Sequence, residues 1–195
     1  MSPEIVLNVM YAPYGYAHAD HRSIDGVELA PMPRQIANQM MIEFYGLATA
    51  IDFDMNVDPI TALCIDHWTR LPRICFLLGV HRQRSTIVES GGYLRLDPLS
   101  RAFLCLPSAF PQTPSKTDGI DEKAITAAGI SYISGVLHTL PRSLKQRLPL
   151  LFSKQCDTVL FDSLSEDPVK STDSWNPTLF TFAANYALLD PATAS

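Results

Sequence analysis

A chain of 195 residues, 47% apolar and 18% charged, is long enough to bury about 70% of its unfolded surface, and this balance excludes wholesale disorder. A net charge of −5 argues against a nucleic-acid module, and four cysteines with no Cys-x-x-Cys pair exclude a zinc ribbon or a disulfide-stapled miniature domain. Fifteen prolines predict a mostly α chain of short helices broken by turns, because proline lacks the backbone donor and is tolerated mainly at helix starts and in loops.

Residues 1–31 show no sustained periodicity and read as an irregular N-terminal arm with one short strand at Ile5 to Met10. Ala17-His18-Ala19 imitates a secretory cleavage site, but Glu4 stands where a positive charge should be and Asn8 and Pro13 interrupt the apolar stretch. The apolar run Ile74 to Val80 is too short to span a bilayer, so a cytoplasmic location is expected. His18, Asp20 and His21, with Asp25 nearby, form the one metal-like constellation; two imidazoles and a carboxylate suit a divalent ion, although such spacing also arises in ordinary polar loops.

From Arg34 to about Ile51, Ile36, Met40, Phe44, Leu47 and Ile51 recur at helical spacing and predict one buried face. Asp58-Pro59 combines a capping carboxylate with a preset dihedral, so a helix should run to about Arg70, with Pro72 forcing a break or a new start. Residues 72–80 are apolar all round and should lie at the centre of the fold, with Leu77 and Leu78 in the core. Ser90-Gly91-Gly92 predicts a turn, and Asp97-Pro98 repeats the capping device.

Residues 107–119, rich in Pro, Ser and Thr, read as a linker. A helix should then start at Asp121 and Glu122 and run through Ile125, Ala128, Tyr132, Val136 and Leu140 to Pro141. A basic amphipathic segment comes next, with Arg142, Lys145, Arg147 and Lys154 opposite Leu144, Leu148 and Leu151, restarted at Pro149. Thr178 to Leu189 predicts a terminal helix. The domain reading is an arm over 1–31, a single compact helical core over 32–155 and an acidic C-terminal segment over 156–195.

Charge is uneven along this layout. Residues 1–60 hold two basic and eight acidic side chains, residues 61–110 six and three, and residues 156–195 one and six. The cysteines at 64, 75, 105 and 156 have apolar neighbours, which predicts reduced core thiols rather than a nucleophile. No Gly-x-Ser-x-Gly elbow or phosphate-cradling glycine loop occurs in the sequence, so no cofactor is expected.

The segment Trp68-Thr-Arg-Leu71-Pro72-Arg73-Ile-Cys-Phe-Leu77-Leu78-Gly79-Val-His81-Arg82, with Leu94-Arg-Leu96 and Arg101-Ala-Phe103-Leu104, resembles the SctK family of type III secretion accessory proteins, and its rhizobial, nodulation-linked branch in particular. That resemblance implies a non-enzymatic cytoplasmic adaptor, linking the inner-membrane ring protein to the pod protein of the sorting platform and recruited to the inner membrane only through partners. Arg73, His81, Arg82 and Arg84 in the basic middle are the expected partner contacts, Arg82 and Arg84 foremost, since the polar run from His81 to Arg84 directly after the apolar element should bring the chain onto the surface. The competing reading is a small metal-dependent enzyme using His18, Asp20 and His21.

Overall fold

The computed structural model describes residues 2–54, 57–107, 121–165 and 176–190. In chain order these carry α1 (Pro3–Tyr11), α2 (Pro13–Tyr16), β1 (Ser23–Ile24), β2 (Val27–Glu28), α3 (Arg34–Phe44), α4 (Pro59–Asp66), α5 (Leu71–Arg82) and α6 (Arg84–Glu89). They continue with α7 (Pro98–Leu104), α8 (Glu122–Tyr132), α9 (Ser134–Thr139), α10 (Arg142–Arg147), α11 (Asp157–Ser165) and α12 (Pro177–Leu188). The mostly helical expectation holds. The chain forms two compact units, one of Met1–Thr69 with Val136–Leu164, the other of Arg70–Gly135 with Ser165–Ser195.

In the first unit the strand expected at Ile5 to Met10 is instead α1. Pro3 starts it and Glu4 sits in its first turn, while Val6, Val9 and Met10 recur at helical spacing and are buried. The irregular course is confined to the stretch between α2 and α3, where β1 and β2 pair as a small antiparallel hairpin. Asp25 at φ 49° and Gly26 at φ 82° supply the two left-handed residues that such a tight turn requires. Ala17, Ile24, Leu29, Ala37, Met41, Ile42, Leu47 and Leu150 pack into one core cluster.

Helix α3 departs from its expectation in length and in face. It stops at Phe44 because Gly46 takes φ 59° and lets the Leu47 amide donate back to Ile42 O and the Gly46 amide to Glu43 O, a glycine-closed helix end. The residues buried on the core side of the helix are Ala37, Met41 and Ile42, one step along from the expected stripe, of which Met40 packs against the core at its edge and Leu47 is buried beyond the helix end. Ile36 and Phe44 point outward, 51% and 50% exposed, and Ile51 is exposed as well.

The second unit is built on α5, whose Leu71, Ile74, Cys75, Leu77, Leu78, Gly79 and Val80 are all buried. Pro72 sits in its first turn, so the restart expected there is observed. Helices α8, α12, α7 and α6 all pack on α5. Gly79 of α5 lies against the Ile125 carbonyl of α8, and Gly129 of α8 against the Cys75 carbonyl of α5, so the two helix backbones touch at two points one turn apart. Gly91, at φ 72°, closes the turn before α7.

Both expected caps are in place, and Asp121, expected as an acidic helix start, caps α8 as well. Asp58 accepts from Ile60 N and Thr61 N, Asp97 from Ser100 N, and Asp121 from Ala124 N. Helix α8 ends sooner than expected, since Ile133 leaves helical geometry and α9 starts again at Ser134. The linker expected over 107–119 lies almost wholly outside the described residues. No helix among the described residues is long and apolar enough to cross a membrane.

Candidate docking surfaces

The four residues expected to meet partners all lie in the second unit, on or next to α5, but they are not equally available. Arg73, in the first turn of α5, is held by two carboxylates, Asp97 Oδ1 at 2.8 Å and Asp190 Oδ2 at 2.7 Å, and its guanidinium lies 5.4 Å from the Phe76 ring centre. Its charge is therefore used inside the unit, fastening α5 to the start of α7 and the end of α12.

Asp97 serves two structures at once. It accepts from Arg73 and also from the amide and hydroxyl of Ser100, at 3.0 and 2.6 Å. Partial burial pushes its carboxyl up, yet the bonds from Arg73 and Ser100 outweigh that and hold it well below the usual carboxylate range. A depressed carboxyl contributes stability that is present above the unfolded value near pH 4 and is lost as pH falls through the folded one. Asp97→Ala should lower stability by about 1–2 kcal/mol at neutral pH, through loss of a cap and of an Arg73 partner. Urea melts at pH 7 and pH 3 check this: the gap between wild type and variant should shrink in acid, and an equal gap at both values would refute the assignment.

His81 does not emerge onto the surface. Helix α5 continues to Arg82, so His81 falls one turn after Leu77 on the inner side, 4% exposed, with its ring edge-on to Phe103 at 6.0 Å. Burial and the nearby Arg84 pull its imidazole down, which keeps it neutral at physiological pH. A buried neutral ring is a packing group, and the expectation of an exposed contact at His81 is corrected. Arg82 is half-buried with its guanidinium 5.7 Å from the Tyr132 ring centre, and Arg84 donates to Leu106 O at 3.2 Å. These two remain the partly exposed cations of the run.

In the first unit the metal-like residues are spent on structure. His21 is buried; its Nε2 lies 3.0 Å from Phe152 O and its Nδ1 3.3 Å from the Tyr45 hydroxyl, so both ring nitrogens are engaged. Asp20 accepts from the Lys154 amide at 3.1 Å, while His18 Nδ1 accepts from the Asp20 amide at 3.2 Å. Among the described residues no group of three or more His, Cys, Asp or Glu side chains is placed to hold a metal ion. The arrangement therefore gives the metal-enzyme reading no support. Cys64 is buried and its thiol is pushed up to about 12, chiefly by burial, so it is inert as a nucleophile. Cys75 and Cys156 are buried too, whereas Cys105, expected inside, is exposed because it comes after the last turn of α7.

Two features escape sequence reasoning. Arg147, expected on a solvated basic face, is 0% exposed and donates to three carbonyl oxygens, Ser143 O at 2.9 Å and Met10 O and Ala48 O at 2.7 Å each. The second is the outward apolar stripe of α3, formed by Ile36 and Phe44 with half-buried Met40 between them. Its helical spacing is visible in the sequence, but spacing alone does not say which of two apolar stripes the core takes.

Comparison with known proteins gives a consistent picture. A family model described as bacterial type III secretion apparatus protein (OrgA_MxiK) matches residues 6–189. The oxygen-regulated invasion protein OrgA of Salmonella typhimurium, in three strains, is 24% identical over 192 residues, covering 98% of this chain and 90% of the relative. No solved structure matches the chain at a significant level.

Proposed function

Because the chain belongs to the bacterial type III secretion apparatus protein family OrgA_MxiK, we propose that it is a non-enzymatic cytoplasmic adaptor, linking the inner-membrane ring protein to the sorting-platform pod protein. The observation that carries this reading is the family match over residues 6–189. Membership makes the chain part of a secretion apparatus, and the finer role as a link between ring and pod rests on the resemblance around Arg73 to Arg82. A part in nodulation or another host interaction rests on that resemblance alone.

The way polar residues are used supports a binding protein. Arg73, His21, Asp97 and Arg147 are each committed to internal partners, which leaves the exposed charges to association. Arg82 and Arg84 are the contacts proposed for an acidic surface on a partner. Recruitment to the inner membrane would come from the ring protein.

Cell fractionation with and without the ring protein tests the reading. The chain should reach the membrane fraction only when that protein is present. Equal membrane association in both strains would end the adaptor reading. In the recruited state, Arg82→Glu with Arg84→Glu should reduce membrane recovery; because Arg82 lies over the Tyr132 ring and Arg84 donates to Leu106 O, a melt of the double variant is run beside it, and recovery should fall in a chain that still melts cooperatively. Full recovery of that double variant would remove these arginines from the interface.

A further inference from the structure

The first unit carries a surplus of negative charge that it does not neutralise itself. By sequence it holds eleven acidic and six basic side chains. Every Asp and Glu of the unit is exposed, whereas one of the six cations, Arg147, is fully buried and spends its donors on carbonyl oxygens. The surface of this unit is thus more acidic than its formal charge.

On that acidic unit α3 presents an apolar stripe of which the core takes up only the middle, Met40, and leaves Ile36 and Phe44 half exposed. The three succeed each other at four-residue spacing along one side of the helix. The inner side is already filled by Ala37, Met41 and Ile42. The exposed charges of α3 are Arg34 in its first turn and Glu43 beside Phe44, so its Phe44 end joins a carboxylate to the negative end of the helix dipole.

We propose that this stripe is a docking surface for a basic amphipathic helix of another secretion-apparatus protein, with the cationic side chains of that helix lying toward the Phe44 end. The partner's place in the apparatus rests on the adaptor reading; the surface and the chemistry of its occupant rest on α3 and on the charge of the unit. Four-residue spacing of apolar anchors is how one helix seats on another. Two other occupants fit less well. A second copy meeting the same face would bring two acidic surfaces together, and an anionic lipid leaflet would repel this unit.

The probe is a synthetic amphipathic helix with leucines on one side and lysines on the other, titrated into the full chain while backbone amides are followed by NMR. Shifts should centre on Ile36, Met40 and Phe44, and binding should weaken as salt rises. A matched leucine–glutamate peptide should not bind. Ile36→Ser with Phe44→Ser should weaken binding by about tenfold or more; Phe44 also gives up an edge-on contact with Tyr45 at 5.0 Å, so binding is compared at a temperature where melts show both chains folded. Glu43→Lys, an exposed change that leaves the fold alone, should weaken it in the same direction. Failure of the lysine peptide to bind, shifts centred elsewhere, equal binding by the glutamate peptide or undiminished affinity of the double variant would each overturn the surface. Sedimentation showing self-association that the double variant abolishes would overturn it in favour of a second copy. Adding the cytoplasmic domain of the ring protein, or the pod protein, should displace the peptide. Displacement by neither would overturn the assignment of the occupant, whereas a peptide that fails to bind in a chain still recruited by the ring protein would sink the surface and leave the adaptor reading standing.

Discussion

Gly129→Ala should unfold the second unit or bring it close to unfolding, although it adds a single methyl group to a helix and replaces glycine with the better helix former. A Cβ on Gly129 would overlap the carbonyl oxygen of Cys75 and stand 2.6 Å from its carbonyl carbon. That neighbour is backbone inside α5, so no rotamer change can relieve the clash. The two helices would have to separate, and with them the core of Val80, Ile87, Leu96, Leu104 and Ile125. Overpacking of a core usually costs about 1–3 kcal/mol, and a backbone-to-backbone clash belongs at or beyond the upper end, a large part of a total stability of about 5–15 kcal/mol. Gly79→Ala should behave alike, since its Cβ would overlap Ile125 O. Gly15→Ala is the control: nothing lies within 4 Å of the added carbon, and the change should be neutral or stabilise by about 0.5–1 kcal/mol. Thermal and urea melts of the three variants decide the matter. Melting of Gly129→Ala within about 2 °C of wild type would mean that α5 and α8 do not approach as closely as the structure has them.

That glycine pair marks a boundary of what the sequence can tell. Local devices are legible: aspartate before proline at 58 and 97, acid at the start of α8, the all-round apolar run that forms α5, and the turn at Gly91. Each is a property of a few neighbouring residues. Gly79 and Gly129, by contrast, owe their importance to facing the backbone of the other helix across about fifty positions of chain, and each looks like a weak point when its own helix is read alone.

The candidate surfaces divide in the same way. Arg73, His81, Arg82 and Arg84 stand in one basic run of the sequence, and fold geometry sorts them: Arg73 into a double ion pair, His81 into the core, Arg82 and Arg84 to the margin. Helix α3 offers two apolar stripes one residue apart, and only packing against Ala17, Ile24 and Leu29 chooses between them. The end of α3 is legible in principle, since Gly46 stands in the middle of the expected helix and a glycine there is a stop signal.

Arg147→Met should destabilise the first unit by about 3 kcal/mol, the second large effect expected of a single change. Methionine fills much of the volume, so the loss reports hydrogen bonding more than a cavity. Met10 O belongs to the last turn of α1, where carbonyls have no helical donor, and the Arg147 guanidinium supplies one while bringing a positive charge to the negative end of that helix. The same group reaches Ala48 O in the segment after α3 and Ser143 O within α10, so one side chain fastens three parts of the chain. Burial works against this: desolvation lowers the guanidinium's affinity for its proton, with Tyr16, Tyr11 and Asp52 opposing. Removing the charge therefore recovers part of what the lost bonds give up, and the expected loss is the remainder, set by carbonyl groups left buried with no donor. Arg147→Lys should fall between wild type and methionine, because an ammonium keeps the charge but not the planar fork that meets three oxygens at once. Urea melts give the order, and hydrogen exchange of the Ala12 and Ala48 amides gives the location, with faster exchange expected in both variants. If Arg147→Met melted with wild-type stability, desolvation of the guanidinium would cancel its three bonds, and the residue would serve to set the position of α10 against α1 rather than to stabilise the unit.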